Sequence, residues 1–68
     1  MKLLTARQMI SILNVRGWSF VRQGGSHMVF KKIETEQTVV LPNHPGHTLS
    51  TGTQRRIMRD AGITQDEL

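Results

Sequence analysis

The sequence predicts an α+β domain of order α-β-β-β-α. Three observations carry that prediction. Apolar residues recur at helical spacing near each end of the chain. Two runs of strand formers flank a glycine pair in the middle, and a third run ends at a proline. The links between the three strands are of hairpin length, which makes the sheet antiparallel. Two helices covering one face of such a sheet close the domain.

The elements follow in chain order. Thr5-Ala6-Arg7-Gln8 is a capping box, with Thr5 as N-cap and Gln8 at N3. Met9, Ile12 and Leu13 then follow helical spacing, with Ala6 and Ile10 in support. Gly17 stands where a helix over 6–16 would end. Trp18 to Gln23 is a short strand that puts Trp18, Phe20 and Arg22 on one face. Gly24-Gly25 is the hairpin turn. Residues 26–32 form the second strand, with faces His27, Val29, Lys31 and Met28, Phe30, Lys32. Met28 and Phe30 have the larger apolar bulk and are placed inward, leaving His27 on the open face. Gly25-Ser26-His27-Met28 also equals a common tag-removal scar. It is internal and in register with the strand pattern, so it is read as native. Ile33 to Gln37 connects to a third strand, Thr38 to Leu41, stopped by Pro42. Asn43 to Thr48 is a loop by composition. Thr51-Gly52-Thr53-Gln54 repeats the capping-box pattern and opens a second helix with Ile57 and Ala61 on its stripe. Gly62 ends it, and Thr64 to Glu67 is a third N-cap signal, read as a frayed last turn.

Bulk properties narrow the function. At 68 residues the chain is one domain, 1–68. A core of this size stabilises by only about 3–5 kcal/mol net. Without cysteine there are neither disulfides nor thiolate metal sites, and the reducing cytoplasm is the expected compartment. The first residues lack the long apolar run of a signal peptide, and no run approaches a membrane span. Net charge is +4 and segregated. Lys2, Arg7, Arg16, Arg22, Lys31 and Lys32 precede the first acid, Glu34, and Arg55, Arg56 and Arg59 follow one another without an acid between. Such a balance favours a polyanionic partner.

The residue that stands out is His27, a group that titrates near neutral pH, set on a strand in a basic chain. RNA carries its own nucleophile, the 2′-hydroxyl. Cutting it takes a group to accept that proton, a donor for the leaving oxygen and positive charge at the phosphate. His27 suits either proton transfer, and Arg22 and Lys31 are candidates to hold the phosphate, with Lys32 beside them. Arg55 and Arg59, one turn apart on the second helix, are further RNA-binding candidates. Ser26 and His27 point to opposite faces and are not a dyad; Ser26 has a turn role. His44 and His47 have a spacing that can serve a metal, but no third ligand accompanies them, so no metal is expected. Trp18 is read as a core anchor.

The residues also resemble a known family. Gly17-Trp18, Arg22-Gln23-Gly24-Gly25-Ser26-His27, Leu41-Pro42-Asn43-His44 with Gly46, then Leu49, Gly52-Thr53, Arg56-Ile57 and Ala61-Gly62-Ile63 are similar in order and spacing to HicA-type toxins. The resemblance covers nearly the whole chain. It implies a double-stranded-RNA-binding-domain-like fold and an mRNA-cleaving toxin. It implies His27 as the key catalytic residue and a HicB-like antitoxin as partner; no cofactor is expected. His44 falls on the family's Pro-x-His pattern and is read first as ordering its loop, with a second acid/base group as the alternative. Gly24 stands where many members carry a lysine or another residue, and the segment after Gly62 is short. The alternative is a non-catalytic module that recognises structured RNA by shape and charge.

Overall fold

The computed structural model describes residues 1–68. The order is α1 (Ala6–Val15), β1 (Trp18–Gly24), β2 (His27–Lys32), β3 (Thr38–Pro42) and α2 (Thr51–Ala61), followed by a 3₁₀ turn, Gln65–Glu67. The strands form one antiparallel sheet in the order β1-β2-β3. This is the α+β architecture the sequence predicts.

Local chemistry explains the boundaries. The Thr5 hydroxyl accepts from the Gln8 N–H and the Gln8 side chain accepts from the Thr5 N–H, so the first capping box is complete. Gly17, at φ 89°, takes the left-handed conformation that turns the chain out of α1. In β2, Met28 and Phe30 are buried while His27 is exposed, which confirms the inward and outward faces read from bulk. Their partners Leu41 and Val39 on β3 share the inner face. Met9 and Leu13 of α1 and Ile57, Met58 and Ala61 of α2 close over it, with Trp18 packed at 2% exposure. Fourteen buried apolar residues form this one core.

Four details differ from the sequence reading. The hairpin turn is Gly25-Ser26, one residue later than Gly24-Gly25, so β2 begins at His27. Gly25 has φ 58° and Ser26 does not, the pattern of a type II′ turn with glycine at its first central position. Second, Arg22 does not share a face with Trp18 and Phe20. Phe20 pairs with Phe30 but Arg22 pairs with Val29, so Val21 is an extra residue in a β-bulge. The bulge moves Arg22 onto the open face with Val29 and His27.

Third, the N-cap of α2 is Ser50, not Thr51, its hydroxyl accepting from the Thr53 N–H. Gln54 is freed from capping and fully buried. Its carbonyl oxygen accepts from the Leu4 N–H at 2.7 Å and its amide donates to the Lys2 carbonyl at 2.6 Å. The Leu49 N–H donates to the Leu4 carbonyl nearby, and Thr5 bridges Thr48. Both helices therefore start at the same end of the molecule. Fourth, the last turn is not frayed. Arg16 reaches across from the end of α1 to the Gly62 carbonyl at 2.9 Å and the Glu67 carboxylate at 2.6 Å. No helix is long and apolar enough to cross a membrane.

Candidate active site

The site is assembled by two turns at one end of the sheet. The type II′ turn delivers His27 as the first residue of β2, paired with Pro42, the last of β3. Past Pro42 the ladder continues by one bond. The Asn43 N–H donates to the Ser26 carbonyl at 2.6 Å, which ties the 43–48 loop to the hairpin turn. Ser26 thus has the turn and backbone role its sequence position suggested.

The loop then closes a second turn. The His47 N–H donates to the His44 carbonyl at 3.1 Å, with Pro45 and Gly46 in between and Gly46 at φ 84°. Proline at the second position and a positive-φ glycine at the third define a type II turn. His44 and His47 are its two ends, so their Cα atoms lie within about 7 Å. Sequence spacing alone drew attention to this pair, without a third ligand that would make it a metal site. The turn gives the spacing a different meaning, because it presents both imidazoles beside His27.

All three histidines line one groove of about 430 Å³, together with Pro42, Ser50, Thr53 and Arg56. All three are exposed. Arg56 reaches the groove from α2, donating to the Val40 carbonyl on the free edge of β3 at 3.0 Å, with the Asp60 carboxylate 3.7 Å away. It covers the sheet edge and sets a permanent positive charge beside the histidines. Neither helix has an acidic residue in its first turn, so nothing offsets the positive ends of α1 and α2 on this side. No group of three His, Asp or Glu side chains is placed to hold a metal ion.

The other predicted residues lie at varying distance. Arg22 is exposed on the open face, opposite Val29 and diagonal to His27. Lys31 shares that face but stands four residues along the strand, about 13 Å away by strand rise, with its ammonium 3.6 Å from Glu36. Lys32 is on the inner face and lies over the Trp18 ring, 5.9 Å from its centroid. Arg55 and Arg59 are exposed on α2, and Arg59 is 3.5 Å from Asp60. None of Lys31, Lys32, Arg55 and Arg59 lines the histidine groove. Sequence reasoning missed His47, Ser50, Thr53 and the placement of Arg56. For His47 a signal existed in the Pro-Gly pair that makes residues 44 and 47 neighbours.

A family model described as the HicA toxin of bacterial toxin–antitoxin systems matches residues 6–63. The chain belongs to the HicA toxin family. No curated protein matches it significantly. The HicA match runs from the first residue of α1 to the residue after Gly62, and includes every side chain of the histidine groove. It leaves out the last turn and the Glu67 carboxylate that pins it. The HicA assignment makes the protein a toxin of a toxin–antitoxin system.

Proposed function

We propose that this toxin is an endoribonuclease that cuts mRNA without a metal ion and is held inactive by a HicB-like antitoxin in the cytoplasm. The observation that carries the reading is the groove itself, in which His27 meets two further imidazoles and a guanidinium. That is the equipment RNA cleavage asks for.

The chemistry runs within the substrate. A base removes the 2′-hydroxyl proton as that oxygen attacks phosphorus. The bond to the 5′-oxygen breaks, and an acid supplies its proton. The products are a 2′,3′-cyclic phosphate and a 5′-hydroxyl, so every atom comes from RNA and the two proton carriers. His27 performs one transfer, worth about 10²–10⁴ in rate. His44 performs the other. Arg56 stabilises the charge that grows on the phosphate, and Arg22 steers the backbone across the open face. An antitoxin that covers the groove would shut off His27, His44 and Arg56 together.

The test is cleavage of a labelled RNA in EDTA, with the product ends identified. Cyclic phosphate and 5′-hydroxyl ends from the wild type, and none from His27→Ala, support the reading. RNA bound by both proteins and cut by neither would replace it with a binding module that reads RNA shape.

A further inference from the structure

A second groove, of about 440 Å³, adjoins the first and shares His44 and Ala6 with it. Its remaining walls are Thr5, Arg7 and Ile10 from the start of α1, and Asn43, Pro45 and Gly46 from the loop. We propose that this groove is a nucleobase subsite that seats one base flanking the cut bond, read by Asn43 and anchored by Arg7. The inference rests on the ribonuclease reading of the histidine groove and adds the residues that would select the sequence.

The chemistry of the walls points to a base. Ile10 is a half-buried apolar side chain and Pro45 a rigid ring, giving the flat face of a base two apolar surfaces to lie against. Asn43 is half-buried, and its backbone is fixed by the 2.6 Å bond to Ser26. That bond uses only the main-chain N–H. The carboxamide keeps both donors and its acceptor for a ligand. A carboxamide held in place reads a base edge with two hydrogen bonds, and adenine, with N6–H beside N7, is the base it meets best. Unstacked bases of single-stranded RNA present these edges freely. Arg7 is exposed and forms no ion pair, in contrast to Arg16, Arg56 and Arg59, which face carboxylates. Its guanidinium is available to a phosphate at the mouth of the groove.

Continuity gives the subsite its place. His44 belongs to both grooves, so a strand whose scissile phosphate lies between His27 and His44 enters the second groove with its neighbouring nucleotide. This adjacency would put selectivity at one flanking position rather than across a long site.

Two measurements test the proposal, the second of them independent of cleavage. The first sequences the cut sites made in a random RNA pool by wild type, Asn43→Ala and Arg7→Ala. An adenine preference at one flanking position is expected, falling about five- to a hundredfold in Asn43→Ala. Arg7→Ala should weaken all sequences alike. The second measures binding of 2′-O-methyl oligonucleotides, which lack the nucleophile, as a function of salt. Arg7→Ala should lower the slope of log affinity against log salt by about 0.7, one single-strand phosphate. Asn43→Ala should bind A-rich and U-rich oligonucleotides equally. If wild type binds with this preference but does not cut, the subsite stands and the ribonuclease reading fails. If Asn43→Ala keeps the wild-type base preference in both assays, the subsite is overturned.

Discussion

The two ends of this small fold treat their polar side chains in opposite ways. At the end where α1 and α2 finish, Arg16 is bound to Gly62 and Glu67, and Thr64 and Glu67 cap the last turn. At the other end His27, His44 and His47 face a groove, and Arg7 and the Asn43 carboxamide stand free beside them. Yet this second end is not loosely built. Gln54 is wholly buried there and ties Leu4 and Lys2 down, and Asn43 is tied to Ser26 through its backbone. The Leu4, Lys2 and Asn43 backbone groups and the buried Gln54 amide are satisfied while the exposed ring and amide tips are not. Groups that close on each other hold a fold together. Groups held rigidly but left open are placed for a ligand.

Substitutions can break that contrast, beginning with the largest effect. His27→Ala should lower RNA cleavage by about 10²–10⁴-fold and change stability by no more than about 0.5 kcal/mol, since the ring is exposed; cleavage rates and urea melts on the same preparation check both halves. His44→Ala should cost about 10²-fold, which cleavage rates of wild type and variant under single-turnover conditions would resolve.

Gln54→Leu reverses the pattern. It keeps the volume but strands the Leu4 N–H and the Lys2 carbonyl, a loss of about 2 kcal/mol or more. For a domain of this size that lowers Tm by about 10 °C, which calorimetry would register. Total activity should fall only with the folded fraction, and the folded protein should cut RNA at the wild-type rate.

The smallest effect belongs to Glu67. The Thr64 backbone N–H holds its carboxyl below the usual carboxylate range, with Arg16 adding to the shift. A lowered pKa in the folded state means stability that is present at neutral pH and lost as pH falls through that pKa. Glu67→Gln should therefore melt slightly below wild type at neutral pH and level with it well below the carboxylate range, with cleavage unchanged. The carboxylate is partly exposed, so the difference should also shrink in high salt.

Much of this contrast was legible in the sequence. Thr5 and Gln8 announced α1, the bulk of Met28 and Phe30 turned His27 outward, and the spacing of the strands gave the antiparallel sheet. What failed to show depends on partners far along the chain. The bulge at Val21 is a matter of register against β2, which no strand carries in its own alternation. Ser50 and Thr51 are both good caps, and burial of Gln54 against residues 2 and 4 decides between them. The His44–His47 pair was visible, but its place beside His27 follows from the Asn43–Ser26 bond.

The central claim is that the histidine end acts on RNA while the rest of the fold supports it. The direct measurement is RNA cleavage in EDTA set against Tm for wild type, His27→Ala and Gln54→Leu. The account predicts that His27→Ala melts with wild type and leaves RNA intact, while Gln54→Leu melts early and still cuts RNA when folded. A His27→Ala protein that cuts RNA at the wild-type rate would contradict it.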